Sequence, residues 1–248
     1  MRARERSDCA GVVMGRTLRD RRARRPGIGA TRPMNPGGGP GLPCMTRIIA
    51  DISISLDGCV TGPDPGPGNG LGTGGEALHT WAFSDDPEER RIVRETTARS
   101  GAVVLGRRLF DLVDGPGGWD DTVGYGAAEV GRPPFVVVTA SPPESVRLTG
   151  LDWTFVTTGL PDAVAAARER AEAASADLGR DLDVVLMGGG ALIGSALDAG
   201  LVEVLSLHLA PVVLGFGTPL FTGGTPHTLV RRSANATPNA THLLYELL

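Results

Sequence analysis

Lysine is absent from all 248 residues of this chain, so its 24 strongly basic side chains are all arginine. That absence excludes a P-loop lysine, a Schiff-base lysine and a catalytic lysine together. Cysteine is scarce, with only Cys9, Cys44 and Cys59. Their odd count argues against a disulfide framework, and their spacing fits no zinc site, so no metal is expected. The expected compartment is a reducing one, the cytoplasm. No apolar run reaches the ~18–20 residues that span a bilayer. G-x-S-x-G and a Ser/His/Asp order are missing, which leaves a hydrolase without support. The first strand–helix unit also lacks G-x-G-x-x-G, so the chain carries no Rossmann fingerprint.

The net charge of −4 conceals a division of sign. Residues 1–44 carry ten Arg against three acids, and residues 45–248 carry fourteen Arg against twenty-five. An acidic domain is a poor partner for nucleic acid, so any such contact would belong to the tail. Residues 1–44 are Arg-rich and then Pro/Gly-rich, with no sustained apolar period, and read as a disordered extension. Their arginines also fit an organellar transit peptide, against which Glu5, Asp8 and Asp20 count. Met45 is the candidate native start, and 45–248 is the expected globular domain.

Within that domain, strands are expected at Arg47–Ser55, Ala102–Leu105, Phe135–Thr139, Trp153–Thr157, Asp183–Met187, Val202–Leu209, Thr228–Ala234 and His242–Leu247. The long Gly/Pro segment Thr61–Gly75 exceeds the usual connection length and is expected to be a functional loop over a site. Asp86-Pro87-Glu88-Glu89 supplies an N-cap, a first-turn proline and a third-position glutamate for a helix ending near Arg99. Val164, Ala167, Ala171, Ala174 and Leu178 recur with a helical period over Asp162–Leu178. Strands alternate with helices up to residue 200 and then follow one another. That order predicts an α/β fold with a mostly parallel sheet and an antiparallel C-terminal edge.

Two strand–glycine–helix junctions stand out. Ala102-Val103-Val104-Leu105-Gly106 runs into Arg107-Arg108-Leu109-Phe110-Asp111, and Asp183-Val184-Val185-Leu186-Met187 runs into Gly188-Gly189-Gly190-Ala191-Leu192-Ile193. Glycine permits a tight turn, and the helix start behind it offers unpaired N–H groups to an anion. Arg107 and Arg108 oppose the macrodipole there by ~0.3–1 kcal/mol each, a cost that a bound phosphate would reverse. The other reading is two solvated surface arginines. Thr139 and Ser141 end the third strand with hydroxyls suited to a phosphate or ribose, or form a plain turn before Pro142-Pro143. Asp57 is the best-placed acid for proton delivery, or else an Asx-turn before Gly58. His79, beside Trp81 and Phe83, is either a pocket-lining or a structural histidine, and His208, between Leu207 and Leu209 in a strand, reads as structural.

The motifs Ile52-Ser53-Ile54-Ser55-Leu56-Asp57-Gly58, Val104-Leu105-Gly106-Arg107-Arg108, Met187-Gly188-Gly189-Gly190 and Asp198–Phe221 together resemble the dihydrofolate reductase-like superfamily. The resemblance spans residues 46–247. It is closest to the reductase half of the bifunctional riboflavin-pathway deaminase–reductase and to stand-alone bacterial relatives. It implies a three-layer α/β/α fold around about eight strands, NADPH as hydride donor and a homodimer. Carried over, Gly106, Arg107, Arg108, Thr139 and Ser141 hold the adenosine-side phosphates. Gly188, Gly189, Gly190, Ala191, Leu192 and Ile193 cradle the pyrophosphate, and Asp57 lies near nicotinamide and substrate. Leu109 stands where folate reductases carry a threonine, and no deaminase or zinc motif precedes the domain. The expectation is an NADPH-dependent reductase of a small pterin- or pyrimidine-like substrate. Asp57 would be its acid, Trp81, Phe110 and Trp119 its ring contacts, and Thr61–Gly75 its lid. Two alternatives remain: a non-catalytic NADP(H)-binding module, and a nucleic-acid binder working through residues 1–44.

Overall fold

A computed structural model of the chain describes residues 46–66, 68–120, 124–125 and 132–248. The expectations for residues 1–44, including the extension and the start at Met45, lie outside the described residues. In chain order the elements are β1 (Ile48–Ile54), β2 (Cys59–Thr61), a 3-10 helix (Gly75–Phe83), α1 (Pro87–Ala98), β3 (Ser100–Gly106), α2 (Arg107–Val113), β4 (Phe135–Val138), β5 (Trp153–Val156), α3 (Leu160–Leu178), β6 (Asp183–Gly188), α4 (Gly190–Asp198), β7 (Val204–Leu209), β8 (Thr218–Pro219), β9 (Leu229–Ala236) and β10 (Thr241–Leu247).

Eight strands form one sheet in the order β5-β4-β3-β6-β1-β7-β10-β9. The first six run parallel, and β10 and β9 add an antiparallel edge. This is the expected α/β class, and its physical cause is visible in burial. β3 is buried along nearly its whole length, as a strand covered on both faces must be. One face packs on α3 and α4 through Ala163, Ala167, Ala171, Ile193 and Leu197. The other packs on the 3-10 helix, α1 and α2 through Trp81, Val93, Phe110 and Val113. The layers approach closely where Gly101 sits: a Cβ there would lie 2.8 Å from the Ala171 and Leu182 Cβ atoms.

Asp86 caps α1 as its sequence predicts, its carboxylate accepting from the Glu88 and Glu89 amides at 2.9 and 3.1 Å. Such a cap contributes about 1 kcal/mol. At the amino edge of the sheet, buried Asp183 accepts from Arg47 and from Arg99, the latter at 2.9 Å. α3 begins at Leu160, two residues before the expected start, because Pro161 presets the first helical turn. Two elements carry no local signal in the sequence: the 3-10 helix and the two-stranded ribbon of β2 and β8. Among the described residues, no helix is long and apolar enough to cross a membrane.

Candidate functional site

Parallel strands present their carboxyl ends on one edge, and a crevice opens where the chain reverses direction along the sheet. Here that point lies between β3 and β6. The chain leaves β3 toward β4 and β5 on one side, and leaves β6 toward β7 on the other. Leu105 is the register partner of Gly188 in β6, and Gly106 that of Val138, the residue before Thr139. Gly106, Gly188 and Thr139 therefore meet at one place.

Arg107 begins α2 there. Its Nε pairs with Asp111 at 2.7 Å, and its Nη1 donates to the Ser141 carbonyl at 2.7 Å and to the Thr139 hydroxyl at 3.4 Å. The arginine and the two hydroxyl residues named from sequence thus form one cluster, with the guanidinium 36% exposed. α2 has only seven residues, so the cluster rather than a long helix dipole supplies the positive potential. Arg108 points the other way and donates to the Pro65 carbonyl in the long loop. That loop is tightly stitched. Gly62 N donates to Leu71 O at 2.7 Å, Thr73 N to Pro63 O at 2.8 Å, and Gly66 and Asn69 bond reciprocally at 3.0 Å.

Across the crevice, Gly188 has φ +119°, which favours glycine, and the Gly188–Gly189 peptide is cis. α4 starts at Gly190, where an added Cβ would lie 2.7 Å from Val60 Cγ2. The first intrahelical acceptor is Gly189 O, which takes the Leu192 and Ile193 amides at 3.0 and 3.3 Å. The amides of Gly190 and Ala191 precede these and have no helical partner by geometry. Gly189 and Ala191 are exposed. Ile193 corrects the expected cradle: its side chain is fully buried on the sheet, in the core.

Further corrections follow for the expected substrate contacts. Phe110 is 2% exposed and packs edge-on against Trp153 and Phe155. Trp119 is equally buried against Phe135. Both rings are spent on the core. Trp81 is buried too, donating Nε1–H to Ser53 Oγ at 3.0 Å and stacking on His208 at 4.1 Å. Asp57 is exposed, and its two oxygens accept the Leu214 and Gly215 amides at 3.1 and 2.7 Å. The Ser55 hydroxyl, then the Leu214 amide, hold its carboxyl down to about 2. The carboxylate thereby clasps the β1–β2 turn to the segment after β7.

Sequence reasoning missed a buried polar chain under the 3-10 helix. Asp51 faces His208 Nε2 at 3.2 and 3.3 Å, His208 Nδ1 meets His242 Nδ1 at 2.7 Å, and His242 Nε2 lies 3.1 Å from Thr237 Oγ1. Thr237 continues to Glu89 at 2.7 Å. Burial raises the Asp51 carboxyl, but His208, Ser206 and His242 together outweigh it and the net shift is downward. Burial first, then repulsion from His208, pushes both His79 and His242 down to about 4. The legible signal was Asp51 itself, the one charged residue in β1.

The three-layer α/β/α sheet, with glycine turns and an arginine cluster at its switch point, is of the fold class expected from the motifs. The family model of the RibD C-terminal domain matches residues 46–243, and the chain belongs to that family. Its fold is similar to that of a candidate riboflavin biosynthesis protein from Shewanella sp. PV-4, at TM-score 0.54 and 20% identity over 82% of this chain and 99% of that one. It is also similar to Acinetobacter baumannii RibD, at TM-score 0.51 and 16% identity over 82% of this chain. A third likeness is to the deaminase/5-amino-6-(5-phosphoribosylamino)uracil reductase of Thermotoga maritima, at TM-score 0.51 and 14% identity over 82% of this chain. The chain spans only 58% and 57% of those last two proteins. No curated protein sequence matches it.

Proposed function

We propose that the chain is an NADPH-dependent reductase of a small pyrimidine- or pterin-like substrate, with 5-amino-6-(5-phosphoribosylamino)uracil as the first compound to test. The observation that carries this reading is the convergence of Arg107, Thr139 and Ser141 with the Gly188–Gly190 cradle at the switch point. The residues fit a dinucleotide. Gly188 holds a φ of +119° that favours glycine at the turn into α4, and the α4 amides would face a pyrophosphate. Arg107 would bind the adenosine-side phosphate, already oriented by Thr139, Ser141 and Asp111. Arg108 would join it after leaving Pro65. The cofactor, when bound, supplies the hydride; the chain's own work is to orient the reactants and exclude water.

The test is NADPH consumption by the full chain in the presence of 5-amino-6-(5-phosphoribosylamino)uracil, with NADPH affinity measured in parallel. Turnover with product reduced by two electrons is the expected result. Tight NADPH binding without turnover of this or related pyrimidines would favour the non-catalytic NADP(H)-binding module. Failure of the folded chain to bind NADPH would overturn both.

A further inference from the structure

The reductase reading leaves the Asp51–His208–His242–Thr237–Glu89 chain without a task, and its hydrogen bonds admit a proton count. Two imidazole nitrogens 2.7 Å apart need one proton between them. His208 Nε2 faces only the oxygens of the ionised Asp51, so it carries a proton. Thr237 has a single hydroxyl proton, with Glu89 Oε1 at 2.7 Å, Ala240 O at 3.0 Å and His242 Nε2 at 3.1 Å as its possible acceptors. Glu89 is the nearest and is charged. When Thr237 donates there, His242 Nε2 must donate to Thr237. Every contact is then satisfied, with three protons on two rings, one more than two neutral imidazoles hold.

We propose that His208 and His242 share one excess proton, balanced between Asp51 and Glu89, and that it is the proton the reduction consumes. The proposal rests on the reductase reading. Reducing a C=N or C=O bond adds hydride to carbon and a proton to the heteroatom. The hydride brings its electron pair from the reduced nicotinamide cofactor, which is oxidised, while the double bond is reduced. The proton leaves His208 Nε2 by way of the Asp51 carboxylate, and a replacement enters through half-buried Thr237 at the other end of the chain. Placement supports the direction. β1, which carries Asp51, lies between β6 and β7 in the sheet and is in register with β6 through Ala50 and Leu186. Ser53 is also the register partner of His208.

The groups facing the pair are Asp51 from β1, His79 from the 3-10 helix, and Glu88 and Glu89 from α1. Burial, then repulsion from His208, holds His242 down to about 4 against the upward pull of Glu89, Asp51 and Glu88. Glu89 is itself fully buried and is braced by the Asn239 amide and side chain, both at 2.9 Å, so its charge is fixed in place.

Nitrogen-15 resonance of the histidine-labelled full chain tests the count directly. Near neutral pH, both Nε2 atoms should be protonated and the two Nδ1 atoms should share one proton; an unprotonated His242 Nε2 would overturn the proposal. Asp51→Asn and Glu89→Gln should each lower the titration midpoint of the pair by about one pH unit or more, and a midpoint unmoved in both would also overturn it. If Asp51→Asn does not fold, the wild-type spectrum and Glu89→Gln decide. His242→Gln should reduce kcat about tenfold or more with 5-amino-6-(5-phosphoribosylamino)uracil. It should also shift the pH profile and leave KM for NADPH unchanged. Wild-type kcat and pH profile in that variant would remove the delivery role. A wild-type chain that binds NADPH but turns nothing over would instead overturn the reductase reading, and with it delivery to substrate, while the resonance spectrum still decides the shared proton.

Discussion

Replacing Arg107 by alanine separates a phosphate seat from a structural strut, because the two roles predict different magnitudes in different assays. As a strut, Arg107 makes an i,i+4 pair with Asp111 and a charged bond to the Ser141 carbonyl. A partly exposed helix pair contributes ~0.3–0.5 kcal/mol, and the charged bond, discounted for solvent, about 1 kcal/mol. Removing a cation from a helix start returns ~0.3–1 kcal/mol. The net loss is about 0.5–1 kcal/mol, a fall of roughly 1–4 °C in Tm for a domain of this size. As a phosphate ligand, the same side chain would lose a charge-assisted bond worth ~1.5–3 kcal/mol, which weakens binding about 10- to 150-fold. Fluorescence titration with NADPH and NADH, beside a thermal melt, reads both quantities. The phosphate seat predicts the full loss for NADPH and less than about threefold for NADH, which lacks the ribose 2′-phosphate. Equal loss for the two nucleotides, or an NADPH loss under threefold with a lower Tm, would refute the reasoning and leave Arg107 a strut.

Gly190→Ala should cost ~1–3 kcal/mol by overpacking against buried Val60, and Val60→Ala in the same chain should recover most of the lost Tm and NADPH affinity; no recovery would place the fault elsewhere. Asp183→Asn breaks a buried pairing with two half-exposed arginines at the edge opposite the crevice, so ~2–4 kcal/mol of stability should go, judged against typical buried pairs. NADPH affinity should stay within about threefold, and a large affinity loss with intact stability would contradict the placement. Asp57 is depressed to about 2, so its clasp is intact above the ordinary carboxylate range and is lost only as pH falls through the depressed value. Asp57→Asn should speed amide exchange at Leu214 and Gly215 under neutral conditions, whereas unchanged exchange with abolished turnover would return Asp57 to the chemistry.

All eight strands of the main sheet were anticipated, most of them as apolar or alternating runs several residues long, although β9 is a largely exposed, polar strand. The ribbon of β2 and β8 was not, since its pairing joins Thr61 to Thr218 through residues with no strand period of their own. The Arg107–Thr139–Ser141 cluster could be anticipated, as each member ends a strand or opens a helix at the same edge. The aromatic contacts failed for a physical reason: Phe110 and Trp119 border glycine-rich segments in sequence, yet burial of their large rings governs where they point. The histidine pair was hidden because each member sits alone in its own strand. Only the register that sets His242 opposite His208 makes them one group.

The sheet order also dictates when the protein can fold. Both neighbours of β1 lie far along the chain, with Ile48 beside Val184 and Ile49 beside Val204. A ribosome adding ~5–20 residues per second needs roughly 7–30 s to travel from one to the other. Throughout that interval the central strand is synthesised but has no hydrogen-bonding partner on either edge. The sequence Ile48-Ile49-Ala50-Asp51-Ile52-Ser53-Ile54 is then an exposed template for any passing strand. Asp51 is the one charge it carries, and the same carboxylate that is buried in the finished sheet shields the nascent chain from association while its partners are still being made.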